Sequence, residues 1–178
     1  MRHWHPWRCL TRNPTMTIPT RGDLLKSAES FCNSFADKKP VEEVLSHFST
    51  THATSCFEHG LPALAPFLGR TFTKPAEYLG TIAKYLTYKN MRFFAYMVDV
   101  ETRKVGVQGS ASFTWIETEE SWDEVITYVL DFDDEAKITD WRVRADTGAA
   151  YLAKEGKLKD LRQQFDAAPG QHSTTGDP

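Results

Sequence analysis

The residues that could carry chemistry in this chain are an acid, two histidines and a phenol near predicted strands. His52 and Glu58 lie on one short apolar segment, His59 follows it directly, and Tyr128 lies within a later β-patterned segment. A histidine titrates near neutrality and is suited to accept a proton. A phenol in a dry site can donate a hydrogen bond to a developing oxyanion. Together, a base and such a donor could move a proton on a bound molecule.

Each of these side chains also has a purely structural interpretation. Glu58 could be a solvated residue at a strand end, His59 could hydrogen-bond its own loop, and Tyr128 could be a core ring. Asp146 is better explained as the cap of the helix that follows it. The histidines and acids show no metal-ligand spacing, and no glycine-rich loop joins a strand to a helix. We therefore expect neither a metal nor a nucleotide cofactor.

Composition places the chain among ordinary globular proteins. It has 178 residues, of which 40% are hydrophobic and 25% charged, which suits one domain with a sizeable core. The net charge of −3 gives no general attraction to nucleic acid or anionic membranes, and no apolar run has the length of a membrane span. Cys9, Cys32 and Cys56 are odd in number and scattered, which argues against a disulfide framework. The 11 Phe, 6 Tyr and 5 Trp suit a site for a small hydrophobic molecule.

The two ends differ in composition from the middle. Residues 1–20 are basic and contain no acid, but they lack the apolar stretch of a secretory signal. We interpret them as a disordered extension of a cytoplasmic protein, with a mitochondrial presequence as the alternative. Residues 166–178 are rich in Gly, Pro, Ser and Thr and are expected to form a disordered tail. One folded domain is thus expected over 21–165.

Hydrophobic spacing predicts helices first and strands afterwards. Helical periodicity covers 22–37, 41–48 and a third segment that Thr73 would cap, with an apolar stripe running to Leu86. Strands are expected at 50–58, 91–100, 104–117, 122–132 and 138–145, and a closing helical segment at 147–164. Short links between the last four strands indicate antiparallel hairpins. This order indicates an α+β fold.

Alternation along the last two strands assigns their faces. Trp122, Glu124, Ile126, Tyr128 and Leu130 share one face of the first, and Trp141, Val143 and Ala145 share one face of the second. This face should be inward. Asp131, Arg142 and Arg144 should then point outward.

Two stretches resemble the nuclear transport factor 2-like superfamily, which includes ketosteroid isomerases, scytalone dehydratase, limonene epoxide hydrolases and SnoaL-like polyketide cyclases. One is SFCNSFADKKPVEEVLSHFSTTHATSCFEHG (30–60), and the other is WDEVITYVLDFDDEAKITDWRVRAD (122–146), with its F-D-x-x-x-K-I pattern between two strands. The resemblance covers positions 22–154. It implies a cone-shaped, cystatin-like curved antiparallel sheet whose concave face and N-terminal helices enclose a pocket. It also implies a homodimer through the convex face.

The resemblance further implies where the chemistry would lie. Ketosteroid isomerase-like enzymes carry a carboxylate base at the end of the first strand, where this chain has Glu58 or His59, and a hydrogen-bond donor at the position of Tyr128. His52, at the start of the same strand, is a further candidate. The first-helix tyrosine of those isomerases is replaced by Phe31, so half of their oxyanion hole is missing and a steroid isomerase is disfavoured.

The expected function is that of a small-molecule enzyme of the isomerase, cyclase or dehydratase type, acting on a hydrophobic carbonyl-bearing metabolite without a cofactor. The alternative is a non-catalytic ligand-binding or dimeric accessory protein of the same fold, because one fold hosts many functions. The pocket walls are expected to include Phe31, Phe35, Tyr96, Trp115, Ile126, Trp141 and Val143.

Overall fold

Helices surround one face of a six-stranded sheet in the computed structural model, which describes residues 18–166. The expectations for 1–17 and 167–178 lie outside these residues. The helices are α1 (Arg21–Ala36), α2 (Val41–Leu45), α3 (Pro75–Ile82), α4 (Thr147–Lys154) and α5 (Leu158–Asp166). The strands are β1 (Ser55–Glu58), β2 (Thr71–Phe72), β3 (Leu86–Asp99), β4 (Lys104–Trp115), β5 (Ser121–Phe132) and β6 (Ile138–Arg144). None of the described helices is long and apolar enough to cross a membrane.

Thr20 and Asp23 form a capping box at the N-terminus of the first helix. The Thr20 hydroxyl accepts the backbone N–H of Asp23 at 3.2 Å, and the Asp23 carboxylate accepts the backbone N–H of Thr20 at 2.9 Å. This reciprocal pair satisfies two N–H groups that the first turn would leave free. Leu24, Ala28 and Phe31 then form the buried stripe of α1. The predicted helix is therefore confirmed, with Thr20 as its N-cap and Arg21 as its first residue.

The sheet is open and mostly antiparallel, with strand order β2-β1-β6-β5-β4-β3. The four long strands form the predicted meander. However, β1 pairs with β6 in parallel, so the sheet is mixed rather than purely antiparallel. A parallel neighbour requires a long connection, and here the whole β3–β5 meander lies between the two strands. Local spacing could not reveal this pairing.

Two bulges bend β3 and change its inward pattern. The register against β4 shifts between Lys89 and Arg92 and again between Phe94 and Met97. Asn90 and Ala95, inside these shifts, adopt the left-handed conformation with φ near 56° and 54°. The more buried positions of β3 are therefore spaced by two and three residues in turn, namely 86, 88, 91, 93, 96 and 98. A bulge bends its strand, and two of them curve this edge of the sheet.

Several predicted boundaries were wrong by part of an element. The second helix ends at Leu45 instead of 48, and the first strand covers Ser55–Glu58 only, after a loop. The third helix is capped by Lys74 without a side-chain hydrogen bond, since Pro75 occupies its first turn and Thr73 lies one residue too early. That helix ends at Ile82 and β3 already begins at Leu86. Leu86 fits a helical stripe and a strand equally well, so its type did not decide between them.

Candidate functional site

A cavity of about 550 Å³ lies between the inner sheet face and α2, α3 and the start of α4. Its wall is predominantly apolar and aromatic, which suits a small hydrophobic ligand. The segment 67–68, α2 and α3 contribute Phe67, Leu68, Val44, Leu45, Tyr78 and Leu79, while the sheet contributes Glu58, Tyr88, Trp122, Glu124, Ile126, Tyr128, Trp141 and Val143. Acidic side chains are therefore a small polar minority in an apolar wall.

Glu58 is the buried acid of this wall. It is the last residue of β1 and only 6% exposed. Tyr78, from α3, is 1% exposed and its hydroxyl donates to Glu58 Oε2 at 2.7 Å. Burial raises the pKa of Glu58 to about 7; the Tyr78 hydrogen bond opposes this rise, and the charge of Glu124 adds to it. Near neutral pH Glu58 is thus divided between its acid and base forms.

Strand pairing places Glu58 and Tyr128 in one row across the sheet. Glu58 is opposite Val143 on β6, and Val143 is opposite Tyr128 on β5. Side chains in one such row point to the same face, which here is the cavity. Neighbouring strands lie about 4.8 Å apart, so the two Cα atoms are separated by roughly 10 Å. The carboxyl group and the phenol therefore face the same cavity.

Tyr128 lies in an aromatic part of the wall. Its ring centroid is 5.1 Å from that of Trp141 and 5.3 Å from that of Phe93. The Trp141 ring is also 5.1 Å from the Tyr78 ring, edge to face. Burial raises the pKa of Tyr128 well above its usual value. The phenol therefore remains protonated and is available as a hydrogen-bond donor.

Glu124 is a second acid in the cavity wall, and its type and position in the sequence do not single it out. Its Oε2 accepts the backbone N–H of Asp146 at 2.7 Å. Burial raises the pKa of Glu124, and this hydrogen bond opposes the rise. Alternation along β5 had placed Glu124 on the inner face with Tyr128, so its inward orientation was predictable. For Tyr78 the only signal was its position on a helical stripe, because its pairing with Glu58 depends on tertiary packing.

The two candidate histidines lie outside the cavity, which corrects the expectation of a histidine base. His59 follows Glu58 directly and therefore points to the other side of the strand, where it packs edge to face on Phe57 at 4.9 Å. Partial burial and the neighbouring Arg144 and Arg142 lower the pKa of His59. His52 lies in the loop before β1, with its side chain 52% exposed. That strand begins later than predicted, so alternation does not apply to His52.

The expected wall residues divide into two groups. Phe35, Ile126, Trp141 and Val143 line the cavity, whereas Phe31, Trp115 and Tyr96 do not. Phe31 is fully buried beneath the wall, with its ring 5.1 Å from Trp141, and Trp115 stacks on Tyr85 at 5.5 Å. Tyr96 lies within the second bulge of β3, close to Cys32 of α1. These three aromatic residues support the wall from behind.

Two carboxyl groups with raised pKa and two phenols are chemically suited to acid–base work. A carboxyl group that titrates near the operating pH can accept a proton at one step and return it at another. Low polarity around the site strengthens hydrogen bonds to a developing charge. The arrangement therefore fits proton transfer on a hydrophobic molecule.

No family model matches this chain, and no curated protein matches it in sequence. Several solved structures, however, resemble this chain in their fold. An NTF2-like protein of unknown function from Burkholderia pseudomallei is 10% identical, with a TM-score of 0.62 over 74% of this chain and 96% of that one. TerC, co-crystallised with polyporic acid, is 16% identical, with a TM-score of 0.63 over 75% and 98%. The BvnE pinacolase from Penicillium brevicompactum is 17% identical, with a TM-score of 0.57 over 82% and 99%. With its N-terminal helices and mostly antiparallel sheet, this chain has the nuclear transport factor 2-like fold.

Proposed function

We propose that this chain is an acid–base enzyme of the isomerase, cyclase or dehydratase type, acting on a hydrophobic, carbonyl-bearing metabolite. The observation that carries the proposal is Glu58, a carboxyl group with a pKa of about 7 in the wall of an apolar cavity. Burying an acid in such a wall costs folding energy. A wall that served only to hold an apolar ligand would gain nothing from that cost.

In the proposed reaction the ionised Glu58 removes a proton from the carbon next to the substrate carbonyl. The C–H electron pair moves into the carbon skeleton and negative charge develops on the carbonyl oxygen, which Tyr128 stabilises as a hydrogen-bond donor. Protonated Glu58 then returns the proton at another carbon. Tyr78 holds the carboxyl group in place through its 2.7 Å hydrogen bond. In a dehydration, protonated Glu58 would instead give this proton to the departing hydroxyl group, which leaves as water.

The cavity indicates the class of substrate. A volume of about 550 Å³ falls within the range of pockets that enclose drug-sized molecules. Aromatic rings such as Trp122 and Trp141 favour a ligand with flat or hydrophobic surfaces. The BvnE pinacolase and TerC, which was co-crystallised with polyporic acid, have the same fold. These two neighbours support the proposal that this chain acts on a flat or hydrophobic organic molecule.

The test is proton exchange in deuterated water, followed by NMR on a panel of hydrophobic cyclic ketones, whose uncatalysed exchange is slow. We expect the wild type to exchange the proton next to the carbonyl of at least one compound. Glu58→Gln should slow this exchange roughly 10²- to 10⁴-fold, the range typical of general acid–base catalysis. Glu117→Gln is the matched control, because Glu117 is exposed and lies outside the cavity wall.

The non-catalytic alternative is favoured by the mostly apolar wall and predicts a different result. A binding protein would bind members of the panel without exchanging their protons. Glu58→Gln would then leave the affinity unchanged or improve it, because the buried charge is removed. Binding with no exchange in the wild type would overturn the proposed enzyme and establish the binder.

A further inference from the structure

We propose that His52, Asp133 and Asp134 bind a divalent transition-metal ion, for which Zn²⁺ is the probe. Each residue offers one ligand atom, and these atoms lie within 4.8 Å of one another. The group lies where the loop before β1 meets the turn between β5 and β6. None of the three residues lines the cavity, so this proposal is independent of the proposed enzyme activity.

Asp133 is held in one orientation by its own turn. Its Oδ1 accepts the backbone N–H groups of Glu135 at 2.9 Å and Lys137 at 2.8 Å. The side chain is 1% exposed, so it cannot turn freely to solvent. Because Oδ1 is engaged, Oδ2 is fixed in position next to the loop that carries His52.

Asp133 Oδ2 is the observation that points to a ligand. It is buried and has no hydrogen-bond partner within the described part of the chain. His52 Nδ1 lies 3.5 Å from Oδ2. A buried charged oxygen without a donor costs free energy. A metal ion between Oδ2 and the imidazole would supply the missing positive charge.

His52 is placed by the loop that precedes β1. Its backbone N–H donates to Ser49 Oγ at 3.1 Å, and its Nδ1 lies 3.0 Å from Thr51 Oγ1. Asp134 is half-buried and His52 is exposed. An ion could therefore enter from solvent, while the buried Asp133 provides the fixed ligand.

The ligand types select the class of ion. Ca²⁺ and Mg²⁺ prefer oxygen ligands alone, whereas an imidazole nitrogen favours Zn²⁺ and similar transition metals. One imidazole and two carboxylates balance the charge of a dication and leave coordination positions for water. The bound ion would join the loop before β1 to the β5–β6 turn. His52 is far in the sequence from the adjacent Asp133 and Asp134, so the absence of metal-ligand spacing did not exclude this site.

The experiment is calorimetric titration of the full-length protein with ZnCl₂, in parallel with MgCl₂. We compare the wild type with His52→Gln and Asp134→Asn, neither of which removes the turn-forming Asp133. Loss of one ligand should weaken Zn²⁺ binding at this site at least about tenfold, so that each variant loses one equivalent under conditions that saturate the wild type. His59→Gln is the control, because His59 is half-buried on another face, and it should bind as the wild type does.

In the full-length protein, His3, His5 and Cys9 could also bind Zn²⁺ independently of the proposed site. The difference in bound equivalents between the wild type and each variant isolates the proposed site. Equal stoichiometry and affinity in all four proteins would overturn the proposal, as would equally strong binding of Mg²⁺ and Zn²⁺. A variant that fails to fold is replaced by the other, since each removes a different ligand.

Discussion

At the scale of single residues, Glu58 shows how three effects act on one carboxyl group. Burial is the largest and raises its pKa, the hydrogen bond from Tyr78 lowers it, and the charge of Glu124 raises it again. Because burial dominates, the folded protein keeps this proton to a higher pH than the unfolded chain does. The protonation of Glu58 is therefore linked to folding.

The expected consequence is a pH-dependent benefit from Glu58→Gln. Between pH 4.5 and about 7 the unfolded chain releases the Glu58 proton while the folded protein retains it. The free energy of unfolding of the wild type is therefore not lowered by Glu58 below pH 4.5, and it declines as the pH rises to about 7. Glutamine cannot ionise, so the variant should gain up to about 3 kcal/mol over the wild type above pH 7. Urea unfolding at pH 5 and pH 8 measures this, and a difference that does not change with pH would contradict it.

The residues of the site differ in how far the sequence could define them. Glu58 and Tyr128 were assigned by resemblance, and Glu124 was placed on the inner face by the period of β5. The choice between Glu58 and His59 could not be made, because a one-residue uncertainty in strand position exchanges the two faces. Tyr78 was not recognisable, since only packing of α3 against β1 brings its hydroxyl to Glu58.

At the scale of elements, α4 depends on a junction with the sheet. The Asp146 carboxylate accepts the N–H groups of Gly148 and Ala149, each at 3.0 Å, and its own N–H donates to Glu124. One residue thus caps the helix and fixes the cavity acid. The predicted capping role of Asp146 is confirmed.

We expect Asp146→Ala to destabilise the protein by about 1 kcal/mol, because two helix N–H groups lose their acceptor. Asp146→Asn should lose less, since an amide oxygen can still accept these bonds. Chemical denaturation at pH 7 measures both changes. Equal losses in the two variants would show that the cap is not the cause.

The predictability of the elements follows the regularity of their patterns. The stripe of α1 and the alternation of β5 persist over whole elements and were recognised. The start of β3 was missed because its first bulge breaks the period of two, and Lys89–Met91 resembles neither pattern. The pairing of β1 with β6 joins distant parts of the chain, which no local pattern records.

At the scale of the whole molecule, the outer face of the sheet carries exposed apolar side chains. Phe94, Met97 and Val125 are 40%, 59% and 60% exposed and lie in rows that face away from the cavity. The family resemblance predicts a homodimer through this face. Exposed apolar groups on a sheet favour such association, because pairing removes them from water.

Val125→Arg should therefore convert a dimer into a monomer, since it places a charge within an apolar contact. Leu161→Arg is the control, because Leu161 is 48% exposed but lies on α5 and not on a strand of the sheet. Analytical ultracentrifugation of the three proteins measures their mass. A wild type that sediments as a monomer at micromolar concentration would contradict this expectation.

The bulges of β3 also bear on solubility. This strand is the edge of the sheet, and a long, flat edge offers free N–H and C=O groups on which another chain could add a strand and begin aggregation. Two bulges, at Asn90 and Ala95, interrupt that row of groups so that no extended segment matches a regular partner strand. The bulges that curve this strand around the cavity thus also make its edge a poor template for an added strand.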